Sequence, residues 1–166
     1  MKTFGILLLS AIPILLSLRA GEELRRALRL RSEFLKLLSH VRFQIENFST
    51  DQKEIFLKFE SPVLRKTPFY ECLQNRLETM ASGAFGFAWS EYGEDFSFDP
   101  KSRELLDRFA GHFGFLEKQT QLSELSRVIE HLEKDETTRK AECENKIKIL
   151  RITGLTAGLG IFILLI

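Results

Sequence analysis

Residues 151–166 read Arg151-Ile-Thr-Gly-Leu-Thr-Ala-Gly-Leu-Gly-Ile-Phe-Ile-Leu-Leu-Ile166, a stretch with one charge at its start and none after it. Fifteen successive residues without a charge leave a helix no polar face for water. The expectation is therefore a membrane helix over 152–166, and the alternative of a tail packed on a soluble core is disfavoured. A matching run lies at the other end, Thr3-Phe-Gly-Ile-Leu-Leu-Leu-Ser-Ala-Ile-Pro-Ile-Leu-Leu-Ser-Leu18, again without a charge. As helices, the N-terminal and C-terminal runs measure about 24 and about 22 Å, against a hydrocarbon core of about 30 Å. Bilayer thinning and snorkelling of flanking Arg and Lys can cover that shortfall.

The chain has 166 residues, with 24 Lys and Arg against 23 Asp and Glu. That length allows one domain with appendages, and a net charge of +1 gives no signal for a nucleic acid partner. The charges are nevertheless sorted: apart from Lys2, every charged side chain lies within 19–151. Arg19, Arg25, Arg26, Arg29 and Arg31 follow the first run, and Lys140, Lys146, Lys148 and Arg151 precede the second. The positive-inside rule then puts the middle in the cytoplasm and both ends across the membrane. A cleaved signal peptide is the rival for the first run, but cleavage after Ala20 would place Leu18 where a small residue is wanted. The expected organisation is a transmembrane helix over 1–18, a cytoplasmic helical domain with charged stalks over 19–151, and a transmembrane helix over 152–166. Gly154 and Gly158 form a GxxxG pair, which lets helix backbones approach closely in lipid. Gly5, Ser10, Ala11 and Ser17 are the small residues that could face them.

The middle reads as all-α. From Glu22 a long amphipathic helix carries Leu24, Leu28, Leu35, Leu38, Ile45 and Phe48, with Leu30, Phe34, Leu37 and Val41 widening the stripe. Ser49 with Gln52 gives a capping-box start to a second helix holding Ile55, Phe56 and Phe59, which Pro62 ends. Pro68 opens a third with Phe69, Leu73, Leu77 and Met80, stopped by Gly83, and a short fourth carries Phe85, Ala88, Trp89 and Tyr92. Gly93 to Pro100 reads as a loop. Asp99 caps a helix through Leu105, Leu106, Phe109 and Phe113, and after Gly114 the last helix holds Leu122, Leu125, Val128, Ile129 and Leu132. With no Gly or Pro between Phe115 and Gly154, that helix is expected to run into the second membrane segment. Thirteen of the fifteen Phe lie in this middle and are expected to be core.

Glu133 to Lys146 has five acids and four bases with only Ala141 and Cys143 as apolar positions, and reads as a solvated stalk. Its counterpart, Arg19 to Arg31, has five Arg and two Glu. Two readings stay open for the Arg cluster: pairing with the other stalk, or contact with anionic lipid headgroups. No chemistry stands out. Cys72 and Cys143 have neither redox nor metal spacing, and cytoplasmic thiols stay reduced. His40, His112 and His131 sit singly, and none of the familiar nucleotide, hydrolase or metalloprotease motifs is present. The expectation is a non-enzyme with no cofactor and no metal.

The C-terminal half resembles the stage III sporulation protein AB family of endospore-forming Firmicutes. That family shows F-G-x-x-L-G-x-x-D-x-x-x-Q, which here reads Phe109, Ala110, Phe113, Gly114, Glu117 and Gln121. Leu132-Glu133 follows at the family's distance, and Gly154 and Gly158 fall on its tail glycines. Upstream the match is looser, resting on Lys2, Gly5, Gly21 and Gln44-Ile45. Ala110, Phe113 and Glu117 replace Gly, Leu and Asp, and Ser49-Thr50-Asp51 stands where the family has Thr-Pro-Leu. The resemblance is specific over 109–166.

It implies a scaffold component of the channel between mother cell and forespore, with a cytoplasmic bundle similar to type II secretion F-protein domains. The implied location is the forespore outer membrane, facing the mother-cell cytoplasm. The implied partners are other channel membrane proteins, the lipid bilayer, and a cytoplasmic hexameric ATPase of the same operon, with a homo-oligomer left open. Candidate contact residues are Arg25, Arg26, Arg29 and Arg31, and Phe115, Leu116 and Gln121. Two rivals stand: a two-anchor platform protein of a secretion or pilus system unrelated to sporulation, and a membrane-tethered enzyme using Glu130, His131 or His112.

Overall fold

The computed structural model describes residues 2–48, 52–80 and 82–165, with side chains between residues 9 and 164. The order is α1 (Lys2–Asn47), α2 (Gln52–Leu57), a 3-10 turn at Leu64–Lys66, α3 (Pro68–Thr79), α4 (Ala84–Tyr92), a 3-10 turn at Gly93–Phe96, α5 (Pro100–His112) and α6 (Lys118–Leu165). Among the described residues there is no strand, so the all-α expectation holds. The expected capping box at Ser49 falls outside the described residues, as does the stretch Ser49-Thr50-Asp51.

Helix α1 is continuous where two segments were expected, passing through Pro13 and Gly21 without a break. Leu, Arg and Glu dominate Arg19 to Arg31, and these strong helix formers outweigh one glycine. Helix α6 likewise runs unbroken from Lys118 into the apolar C-terminal stretch, as expected. Among the described residues α6 alone is long and apolar enough to cross a membrane, by length and composition. The first apolar run has the side chains of residues 1–8 outside the description.

The chain divides into two compact units, Arg29–Glu136 and the pair Met1–Leu28 with Thr137–Ile166. In the first, Phe34, Leu37, Leu38 and Val41 of α1 are buried at helical spacing, as are Leu125, Val128, Ile129 and Leu132 of α6. Thr67 caps α3 by accepting the Tyr70 amide, and Asp99 Oδ1 caps α5 by accepting the Lys101 and Ser102 amides at 3.0 and 3.1 Å. Between these helices lies a ring cluster of Phe34, Phe69, Phe85, Trp89 and Phe96. Phe109, Phe113 and Phe56 extend it.

Three local readings are corrected. Gly93 to Pro100 is not all loop, because a 3-10 turn delivers Phe96 into the core. Gly83 does not stop α3, which ends at Thr79; it opens α4 instead, at φ +80°. Helix α2 ends at Leu57, leaving Phe59 buried beyond it, where Tyr70 Oη donates to the Phe56 and Phe59 carbonyls.

Polar side chains tie the same unit. Trp89 Nε1 donates to Asp107 Oδ1 at 2.6 Å, and Arg103 donates to the same oxygen. Glu33 accepts from Lys36 Nζ at 2.7 Å and from Ser61 Oγ at 2.8 Å. The Lys36 bond, helped by the Ser61 hydroxyl and against partial burial, holds the Glu33 carboxyl below its ordinary range.

In the second unit the two helix segments are antiparallel. Gly21 opposes Ile147, Gly154 opposes Ser17 and Pro13, and Gly158 opposes Ser10 and Ile14. On α1 positions 10, 14, 17, 21, 24 and 28 are buried or half-buried in a heptad-like alternation of three and four, with 11, 13 and 20 half-buried beside them. On α6 Cys143, Ile147, Gly154 and Gly158 are buried on the facing stripe. The polar stalk thus has an apolar seam, sparse but correctly spaced.

Candidate functional site

The residues named from the sequence for a tethered enzyme lie on two helices, His112 at the end of α5 and Glu130 and His131 in α6. His112 Nδ1 is bonded to the Arg108 carbonyl on an exposed turn, and Glu130 is exposed. Among the described residues no group of three or more His, Cys, Asp and Glu could hold a metal ion. Cys72 and Cys143 are both free, the first half-buried and the second buried. What the structure does assemble are two surfaces, one in each unit.

The Arg29–Glu136 unit has a cavity of about 340 Å³ where α1 ends, α2 begins and α5 turns into α6. Ile45, Phe48, Ile55 and Phe113 give it apolar walls, and Gln52, Gly114, Lys118 and Gln121 give it polar edges. Three of the pattern positions, Phe113, Gly114 and Gln121, line it. Phe109 is buried in the ring cluster. Gly114 sits at φ +90°, and a Cβ on it would overlap the Gln52 side chain. Gln121 donates its amide to the Leu116 carbonyl, which ties the first turn of α6 to the segment before it. Glu117 is exposed and accepts the Gln121 backbone amide through its carbonyl. The side-chain Oε1 of Gln52 is buried without a partner. The pattern thus encodes a turn, with glycine required by its dihedral.

Gly114→Ala is expected to lower stability by about 1–2 kcal/mol, the cost of a left-handed residue bearing a Cβ. Gly111→Ala, three residues earlier inside α5 with open space around it, is expected to be neutral or to stabilise by about 1 kcal/mol. Urea titration of both variants checks the pair; equal effects would refute the turn's role.

Beside this cavity several large apolar side chains are exposed. Phe115 is 67% exposed, and Phe43 and Phe48 are about half exposed with their ring centres 6.0 Å apart. Leu116 is half-buried.

The four arginines named from the sequence differ in exposure. Arg25 and Arg26 are exposed on the paired-helix unit, and Arg29 is exposed on the other. Arg31 turns inward: its Nε donates to the Phe96 carbonyl at 2.9 Å and its guanidinium lies 5.2 Å from the Phe98 ring centre. An Asp135 oxygen stands 3.9 Å from it. Sequence reasoning had no signal for this, since the carbonyl it reaches lies 65 residues away. Gly21 entered from the sequence only through the family resemblance; its spacing of four from Ser17 is the signal that could have marked it as a seam residue.

In the paired-helix unit, Gly154 and Gly158 are buried against the other helix, with a Cβ on Gly158 falling 2.7 Å from the Ser10 carbonyl oxygen. Nothing larger than glycine fits without parting the backbones. The model of the family described as stage III sporulation protein AB matches residues 2–166.

The chain belongs to the stage III sporulation protein AB family. No curated protein and no solved structure matches it. The family match extends the resemblance from 109–166 to nearly every residue and gives the chain a role in sporulation. The platform protein unrelated to sporulation is thereby set aside. An apolar α6 in a member of the stage III sporulation protein AB family points to membrane association.

Proposed function

We propose that this chain is a non-enzymatic scaffold of the mother cell–forespore channel, anchored by helices at both ends. In this reading residues 1–18 and 152–166 span the forespore outer membrane, and the helical domain lies in the mother-cell cytoplasm. There it docks the hexameric ATPase encoded beside it and contacts other membrane proteins of the channel.

The observation that carries the reading is α6 itself. One unbroken helix bears both a buried bundle face, Leu125 to Leu132, and a charge-free apolar stretch of membrane type. The close seam at Gly154 and Gly158 supports a second anchor, because in lipid such packing is what holds helices together. The basic residues at the inner edges of both apolar runs support the orientation. Exposed Phe43, Phe48 and Phe115 offer a protein partner the aromatic anchors that docking surfaces use.

Co-purification from membranes tests the docking. The ATPase is expected to be recovered with the full chain, and to be lost when residues 19–151 are deleted or when Phe48 and Phe115 are both changed to Asp. Undiminished recovery without 19–151 would overturn the docking. A terminal tag accessible only from the cytoplasm would overturn the two-anchor topology.

A further inference from the structure

Within the paired-helix unit, one groove of about 580 Å³ lies between α1 and α6. Its charged lining is Arg25, Lys140, Lys148 and Arg151, with Glu144 as the one carboxylate. Its apolar lining includes Leu28, Ile147 and Ile152. The cations come from both helices, so they converge only because the helices pair. Among the described residues, no ion pair or hydrogen bond engages the side chains of Arg25, Lys148 or Arg151. The groove ends at Ile152, where the charge-free stretch begins.

We propose that this groove is a binding site for one anionic phospholipid, whose phosphate sits between Arg25, Lys148 and Arg151. The chemistry follows from the lining. Guanidinium groups hold phosphate oxygens by paired N–H donors, and the ammonium of Lys148 adds a point charge. The apolar side of the groove continues into exposed Ile152 and Leu155, so an acyl chain can follow the helix into the apolar layer. A free phosphate would use the cations and leave that side uncovered. Four cations against one carboxylate also favour an anionic over a zwitterionic headgroup. This inference rests on the reading of the chain as membrane-inserted.

The test uses the full chain in neutral detergent, with native mass spectrometry counting what stays bound. One phosphatidylglycerol is expected to be retained at least tenfold better than phosphatidylcholine. The triple variant Arg25→Gln, Lys148→Gln, Arg151→Gln is expected to lose that preference. A charge-matched variant outside the groove, Lys53→Gln, Lys66→Gln, Lys101→Gln, is expected to keep it. Equal retention of the two lipids by the unaltered chain, or equal loss in both triple variants, would overturn the site. Displacement of the lipid by millimolar inorganic phosphate would assign the cations to free phosphate and overturn the lipid. Flotation with pure phosphatidylcholine vesicles tests the membrane reading separately: a chain that fails to float refutes insertion, and one that floats without preferring phosphatidylglycerol refutes only the groove.

Discussion

Phe34→Ala is expected to destabilise the helical unit by about 3–5 kcal/mol, the range for removing a fully buried phenyl ring. Phe34 has no exposed surface and stands among five other rings. Its centre lies 4.5 Å from that of Phe96, 5.3 Å from Trp89, 5.6 Å from Phe69, 5.7 Å from Phe98 and 6.4 Å from Phe85. These partners come from α3, α4, the 3-10 turn and the segment after it, so one truncation loosens four elements at once. Neighbours held by separate helices cannot all collapse into the gap, which puts the cost above simple transfer. Against a typical total of about 5–15 kcal/mol, that is a large share. Urea unfolding of the full chain in neutral micelles, read by the fluorescence of the single Trp89, measures it. Phe43→Ala, on a half-exposed ring of the same helix, is expected to stay within about 0.5 kcal/mol. Equal losses in the two variants would refute the ring cluster as the centre of stability.

The second large effect lies in the paired helices. A Cβ on Gly158 would stand 2.7 Å from the Ser10 carbonyl oxygen, and one on Gly154 would stand 3.1 Å from that of Pro13. The Ser10 carbonyl is backbone and cannot rotate aside, and at Gly154 the Ser17 Cβ stands nearer still, at 2.7 Å. Gly154→Leu with Gly158→Leu must therefore part the helices and uncover Cys143, which is 6% exposed on the same stripe. On a Cys72→Ser background, labelling of Cys143 by a soluble maleimide is expected to rise at least about tenfold, corresponding to about 1.4 kcal/mol lost from the closed state. Gly160→Leu, with nothing within 4 Å of its Cβ position, is expected to label like the parent. A double variant that labels no faster than Gly160→Leu would refute the seam.

Much of this was legible without coordinates because it rests on periodicity and capping. Phe34, Leu37, Leu38 and Val41 announce their helix by spacing, and Asp99 before Pro100 announces the next start. Gly154 and Gly158 were legible as a pair for the same reason. The misreadings have one cause: they concern what lies opposite a residue. Phe96 sits in a segment whose Gly, Asp and Pro composition reads as loop, yet a 3-10 turn aims it inward. Arg31 carries the same charge as Arg25, and only the Phe96 carbonyl beside it separates their roles.

Composition and spacing by themselves determined that the chain is helical, that its charges, Lys2 apart, are confined to 19–151, and that its ends are apolar. These are properties of neighbours along the chain, and a helix repeats every 3.6 residues whatever surrounds it. Tertiary structure alone decided that α1 and the last part of α6 share a seam through Gly21 and Ile147, which phenylalanines fill the core, and which arginines face out. It also decided that Arg25 and Arg151, far apart in sequence, line one groove. Burial and charge convergence depend on distances through space between residues from tens to more than 100 positions apart, and no local pattern encodes those distances.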